Sequence, residues 1–160
     1  MLQENGVNLV ADVRTVPRSR TNPQFNRDRL PQTLAAEAIE YHHLPKLGGL
    51  RGKPKGQQES PNSFWTNDSF RNYADYALTG AFREGLSQLR SLHSQHVCAI
   101  MCAEAVWWRC HRRIITDYLI ASGETVRHIL APHRVEKAAM TSAARVQPDG
   151  TLIYPAEPQR

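Results

Sequence analysis

The chain has 160 residues, 41% of them hydrophobic, with 20 Lys and Arg against 15 Asp and Glu for a net charge of +5. That length can bury a sizeable core, and three cysteines are too few and too clustered for the disulfide framework of a small secreted domain. No apolar run reaches the roughly 18 residues of a membrane span, so the reading is one soluble, cytoplasmic domain over residues 1–160, with no membrane partner and no oligomeric state assigned.

Residues 7–14, VNLVADVR, are a largely apolar run ending in charge, as a buried parallel strand does at its C-terminal edge. The arginine-rich stretch that follows carries three prolines and reads as a loop, with a helix starting between residues 26 and 31 and running to about Ala38. IEYHHLP, residues 39–45, suggests a second strand. Residues 46–63 then hold four glycines and two prolines without periodicity, the composition of a long mobile loop. Asn67 is placed to cap a helix bearing Phe70, Tyr73, Ala74 and Ala77, and Gly80 separates it from a second bearing Phe82, Leu86, Leu89 and His93.

VCAIMC, residues 97–102, is continuously apolar and suits a central strand covered on both faces. Ile114, Ile115, Tyr118 and Leu119 recur at helical spacing between about Cys110 and Ser122, and Gly123 is a suitable stop. TVRHIL, residues 125–130, follows as a strand. GTLIYP, residues 150–155, adds an edge strand, with Asp149 and Gly150 as its turn. This order of strands and helices is that of a parallel α/β sandwich.

Ligands of open parallel sheets bind at the C-terminal ends of the strands. There the first strand delivers Asp12 and Arg14, with Ser19 in the loop beyond. IMCAEAVWWRCHRR, residues 100–113, delivers Cys102 and Glu104, then Arg109, Cys110, His111 and Arg112 at a helix start. A helix N-terminus with arginines around it favours an anion and lowers the pKa of a nearby thiol, so Cys102 and Cys110 both qualify as nucleophiles. Each residue also has a plainer reading. Cys102 is a packing residue, Glu104 an ion-pair partner, His111 a hydrogen-bonding residue at a helix start, Asp12 a group that fixes the adjacent loop, and Trp107 and Trp108 core or base-stacking rings. Cys98, mid-strand, is core. Adjacent Cys110 and His111 with a distant Cys102 do not match the compact cysteine pairs of structural zinc, and no metal or cofactor is assigned. The interval from Cys102 to Arg109 is longer than that of the tyrosine-phosphatase loop and lacks glycine, so that match is poor.

Four ordered stretches, DVRTVPRSRTNPQFNRDRL, YHHLPKLGG, MCAEAVWWRCHRRIITDYL and VRHI, together resemble the family called domain of unknown function 488, small and mostly bacterial α/β proteins. The resemblance implies a Rossmann-like three-layer sandwich with a mainly parallel sheet and a strand-end pocket, and it implies no established reaction. The family's recurrent positions fall on Asp12, Arg14, Pro17, Ser19, Phe25, Gly48 and Gly49, and on Cys102, Glu104, Cys110, His111 and Arg112. Two departures stand out. The family usually opens with a strand resembling TIGHS that this chain lacks, and a histidine often precedes the Met-Thr pair found here in EKAAMT.

The expected function is an enzyme acting on an anionic nucleotide or nucleic-acid-like substrate, by hydrolysis or group transfer. Cys102, Glu104 and His111 are the catalytic candidates; Asp12, Arg14, Ser19, Arg109, Cys110 and Arg112 are the substrate-binding ones. The alternatives are a non-catalytic nucleic-acid module using the basic loops at 14–29 and 46–55, and a metal or redox site at Cys102 and Cys110.

Overall fold

A computed structural model of the protein describes residues 1–56 and 59–157. At its centre lies β1 (Leu9–Asp12), flanked by β2 (Glu40–His43) and β3 (Cys98–Met101), both parallel to it. Val10 stands opposite Tyr41 on one side and Ala99 on the other.

Side chains alternate across a strand, and here the two sets enter two separate cores. Leu9, Ala11 and Val13 pack with Leu47, Tyr73, Phe82, Ile114 and Tyr118; Val10 packs with Leu30, Leu34 and Ile39. One face of the sheet is therefore covered by α1 (Leu30–Ala35), the other by α2 (Asp68–Tyr76), α3 (Gly80–His93) and α4 (Arg112–Ala121). This is the Rossmann-like α/β layering the sequence suggests. Burial of each large side chain in these clusters contributes about 1.5–3 kcal/mol.

Local chemistry sets the helix ends. The Asn67 side chain accepts hydrogen bonds from the Ser69 and Phe70 N–H groups, as a cap should. Gly80 is not a break between helices but the first residue of α3, because Thr79 before it takes the cap position and accepts from the Phe82 N–H. Beyond α4, Gly123 adopts φ +92°, a conformation glycine alone enters without strain.

Two expectations about the sheet are corrected. β3 is an edge strand, half-buried throughout, rather than a central one. The segment after α4 does not extend the parallel sheet: β4 (Arg127–Ala131) turns back antiparallel onto β5 (Arg134–Lys137). The tight turn at His133, whose φ is +59°, makes this local pairing available, and it takes one edge of β4. The C-terminal expectation is met in altered form. β7 (Leu152–Ile153) pairs with β6 (Arg145–Val146) as a separate hairpin, with Gly150 at φ +86° in the turn. Leu152 and Tyr154 nonetheless reach the main core and are fully buried.

Candidate active site

β1 and β3 end side by side, Asp12 opposite Met101, and their continuations open a cleft of about 370 Å³ facing the start of α4. Arg14, Gly49, Cys102, Glu104, Arg109, Cys110 and His111 all line it. Parallel strands put these ends on one edge, so the convergence follows from the topology.

Its floor is a pair of thiols. Cys102 follows β3 and Cys110 precedes α4, and their Sγ atoms lie 2.9 Å apart. Arg112 aims both its backbone N–H and its Nε–H at Cys110 Sγ, at 3.2 and 3.1 Å. The His111 ring reaches the same sulfur at 3.8 Å. Donors converging on one sulfur stabilise its anion. The Cys102 thiol above all, then His111 and Arg112, hold the Cys110 thiol far below its ordinary pKa against the opposing cost of burial. Cys102 goes the other way, raised first by its bond to Cys110 and then by burial. The negative charge belongs on Cys110 and the proton on Cys102.

This changes what the helix start and Arg112 do. The first N–H of α4 and the Arg112 side chain are occupied by the protein's own sulfur, and Arg112 Nη2 is tied to the Glu104 carbonyl at 2.6 Å. The Glu104 N–H in turn donates to Cys102 Sγ at 3.2 Å, so the backbone after β3 is laced to both cysteines.

His111 is fixed from two sides. Its Nε2–H donates to the Val13 carbonyl at 2.8 Å, which leaves Nδ1 turned towards Cys110. Gly49 lies so close to the ring that a Cβ there would sit 2.5 Å from Nδ1, and the Tyr73 ring supports it with centroids 4.9 Å apart.

Arg14 has a different employment. Its Nε donates to both Asp12 oxygens at 2.9 and 3.1 Å, and Nη2 donates to Asp12 Oδ2 and to the Phe25 carbonyl, both at 2.7 Å. The Tyr41 hydroxyl also donates to Asp12. Asp12 is fully buried and Arg14 nearly so. Burial opposes ionisation of Asp12, but the bonds from Arg14 and Tyr41 win and keep its pKa low. A guanidinium so engaged holds the loop after β1, while Arg14 also lines the cleft.

A family model described as Domain of unknown function DUF488 matches residues 1–119. The chain belongs to that family. Neither the curated proteins nor the solved structures contain a significant match to this DUF488 chain.

The candidate site positions named from the sequence of this DUF488 chain thus divide into two groups. Cys102, Glu104, Arg109, Cys110 and His111 meet in the cleft with Arg14 at its wall, and Arg112 stands behind the thiols. Asp12 and Ser19 do not line the cleft. Asp12 anchors Arg14, while Ser19 ties its own loop, its N–H donating to Asn26 Oδ1 and its Oγ accepting from the Asn22 N–H. Phe25 serves through its carbonyl, and Gly48 through the absence of a Cβ that would meet Thr15 Oγ1 at 2.6 Å. Sequence reasoning missed Tyr41, whose place opposite Val10 in β2 was the only signal for it, and missed Ser69 and Phe70, which the Asn67 cap brings to the cleft. Trp107 is occupied by stacking on His128, with centroids 4.0 Å apart and planes 3° apart, whereas Trp108 is 47% exposed. Among the described residues no group of three His, Cys, Asp or Glu side chains is arranged to hold a metal ion, and no helix is long and apolar enough to cross a membrane.

Proposed function

We propose that this DUF488 protein is an enzyme whose nucleophile is the Cys110 thiolate, acting on an anionic, nucleotide-like substrate in the strand-end cleft. One observation carries the reading: Arg112 N–H, Arg112 Nε–H and the Cys102 thiol all converge on Cys110 Sγ. An anion prepared in this way is what covalent catalysis by cysteine needs.

Cys110 sulfur bonds to the electrophilic centre and the bond to the leaving group breaks. The leaving group takes the proton of Cys102, the thiol that holds its proton more tightly. Water then cleaves the sulfur bond, its hydroxyl going to the substrate and its proton back to Cys102, which restores the Cys110 thiolate and the Cys102 thiol. His111 Nδ1 faces the reacting sulfur, and Glu104 lines the mouth of the cleft. Substrate charge is met by Arg109, which lines the cleft, is exposed, and makes no hydrogen bond or ion pair with another side chain among the described residues. Trp108, exposed on the same short 3-10 turn (Trp107–Arg109), offers a face for a base.

The test is alkylation by iodoacetamide as a function of pH, read by peptide mass, together with a turnover screen over phosphorylated nucleosides and short oligonucleotides. Cys110 should react at pH values well below those needed for Cys98, whose thiol burial pushes up. Cys110→Ala should abolish turnover, and Arg109→Ala should raise KM with little change in kcat. Alkylation of Cys110 only at alkaline pH, or unchanged turnover in Cys110→Ala, overturns the reading.

A further inference from the structure

We infer that Cys110 and Cys102 are also a dithiol–disulfide couple, closed by a hydroperoxide and reopened by a small dithiol. The inference rests on Cys110 being the thiolate, as above, and adds a second chemistry to the same sulfur.

The geometry points to it in three ways. The two Sγ atoms are 2.9 Å apart, so forming a bond of about 2.0 Å requires a closure of only about 0.9 Å. Both cysteines sit outside regular elements, one just after β3 and one just before α4, joined by residues 103–109. Both sulfurs can be approached from the same cleft: Cys110 is 6% exposed and Cys102 is more open, and both line it.

The atoms balance as follows. The Cys110 thiolate attacks one peroxide oxygen, the O–O bond breaks, and the departing hydroxide leaves as water after taking a proton from solvent. Cys110 is now a sulfenic acid. Cys102 sulfur attacks it, the S–O bond breaks, and the Cys102 proton leaves with the hydroxyl as a second water. The two sulfurs have lost two electrons and the peroxide has gained them. Reopening by dithiothreitol reverses the sulfur oxidation and leaves the reductant as its cyclic disulfide. Because Arg112 and the start of α4 stabilise the reduced thiolate, the disulfide forfeits those contacts and is readily reduced.

Closure removes the nucleophile from the first reaction, so turnover should fall with the fraction cross-linked and return with the reductant. Residues 103–109 lie inside the closed ring and carry Trp107 and Trp108, whose fluorescence should report the step.

The experiment treats the reduced full chain with hydrogen peroxide, blocks remaining thiols with N-ethylmaleimide, and reads intact mass and cross-linked peptides. The expected result is loss of two of the three thiols, a Cys102–Cys110 cross-link with Cys98 alkylated, and full recovery in dithiothreitol. Cys102→Ser keeps a donor to Cys110 and should stop at a sulfenic acid that dimedone traps on Cys110. Oxidation of wild-type Cys110 to sulfinic acid without a cross-link, or a cross-link through Cys98, overturns the inference. So does peroxide consumption no faster than in Cys110→Ala. If Cys110 alkylates in acid yet forms no cross-link, the couple alone fails; if it does not alkylate in acid, the nucleophile assignment fails with it.

Discussion

Replacing Arg14 with Met removes the guanidinium from a carboxylate with no access to water. Asp12 would lose hydrogen bonds of 2.9, 3.1 and 2.7 Å, keeping only the Tyr41 hydroxyl and the backbone N–H of residue 14 at 3.1 Å. Breaking a buried pair in this way costs about 3–5 kcal/mol, because the remaining charge is uncompensated. In a chain of this length that corresponds to a fall in Tm of roughly 6–20 °C. The pH dependence supplies a sharper check. In the native chain the Asp12 pKa is depressed, so its stabilisation is present above the ordinary carboxylate pKa and is lost as pH falls through the lowered value. Without Arg14, burial is the dominant influence left and raises that pKa, so acid relieves the variant by neutralising Asp12. The gap between the two proteins should therefore narrow as pH falls, beginning above the ordinary Asp value of about 3.9, where the variant's raised pKa lies. Urea denaturation followed by tryptophan fluorescence at neutral and acidic pH measures both quantities. A loss under about 1 kcal/mol at neutral pH, the scale of a surface pair, or a gap that does not narrow, would refute the account of Arg14 as a structural cation.

Three further outcomes are expected. Gly49→Ala drives a Cβ into the His111 ring, and should cost about 1–3 kcal/mol and slow the acidic alkylation of Cys110, while Gly52→Ala, with open space around it, should not slow that alkylation. Asn67→Ala should cost about 1 kcal/mol in chemical denaturation by uncapping α2, and a loss near zero would show that the two N–H groups find water instead. Tyr154→Phe removes a 2.8 Å donor from buried Asp117 and should cost about 1–3 kcal/mol. Burial already raises the Asp117 pKa, so this loss should shrink as pH falls and the carboxyl takes up its proton; a loss independent of pH would place the cost in packing instead.

The layering was legible because it is carried by local pattern. The apolar run in residues 7–14, the helical spacing of Ile114, Ile115, Tyr118 and Leu119, and the cap at Asn67 each act within a few residues. Pairing order is not local. VCAIMC is as apolar as a central strand, yet β3 lies at the edge because β4 finds β5 instead. The site shows the same limit. Strand-end and helix-start logic brought Cys102, Cys110, His111 and Arg112 together, but which sulfur carries the charge depends on where Arg112 Nε and N–H point. No composition or spacing contains that. Nor does anything in the sequence show that Asp12 and the Phe25 carbonyl engage the Arg14 guanidinium.

The family match ends at residue 119, inside α4, whereas the core does not close there. Tyr118 Oη accepts the Leu152 N–H at 3.0 Å, Asp117 receives the Thr141 N–H and the Tyr154 hydroxyl, and the Tyr154 carbonyl accepts the Phe64 N–H. A chain cut at the family boundary would keep the thiol pair but strip α4 of the partners that seat its buried face. The unit that can be recognised and the unit that can be excised are different lengths, and any truncation made to isolate the chemistry has to keep Tyr154.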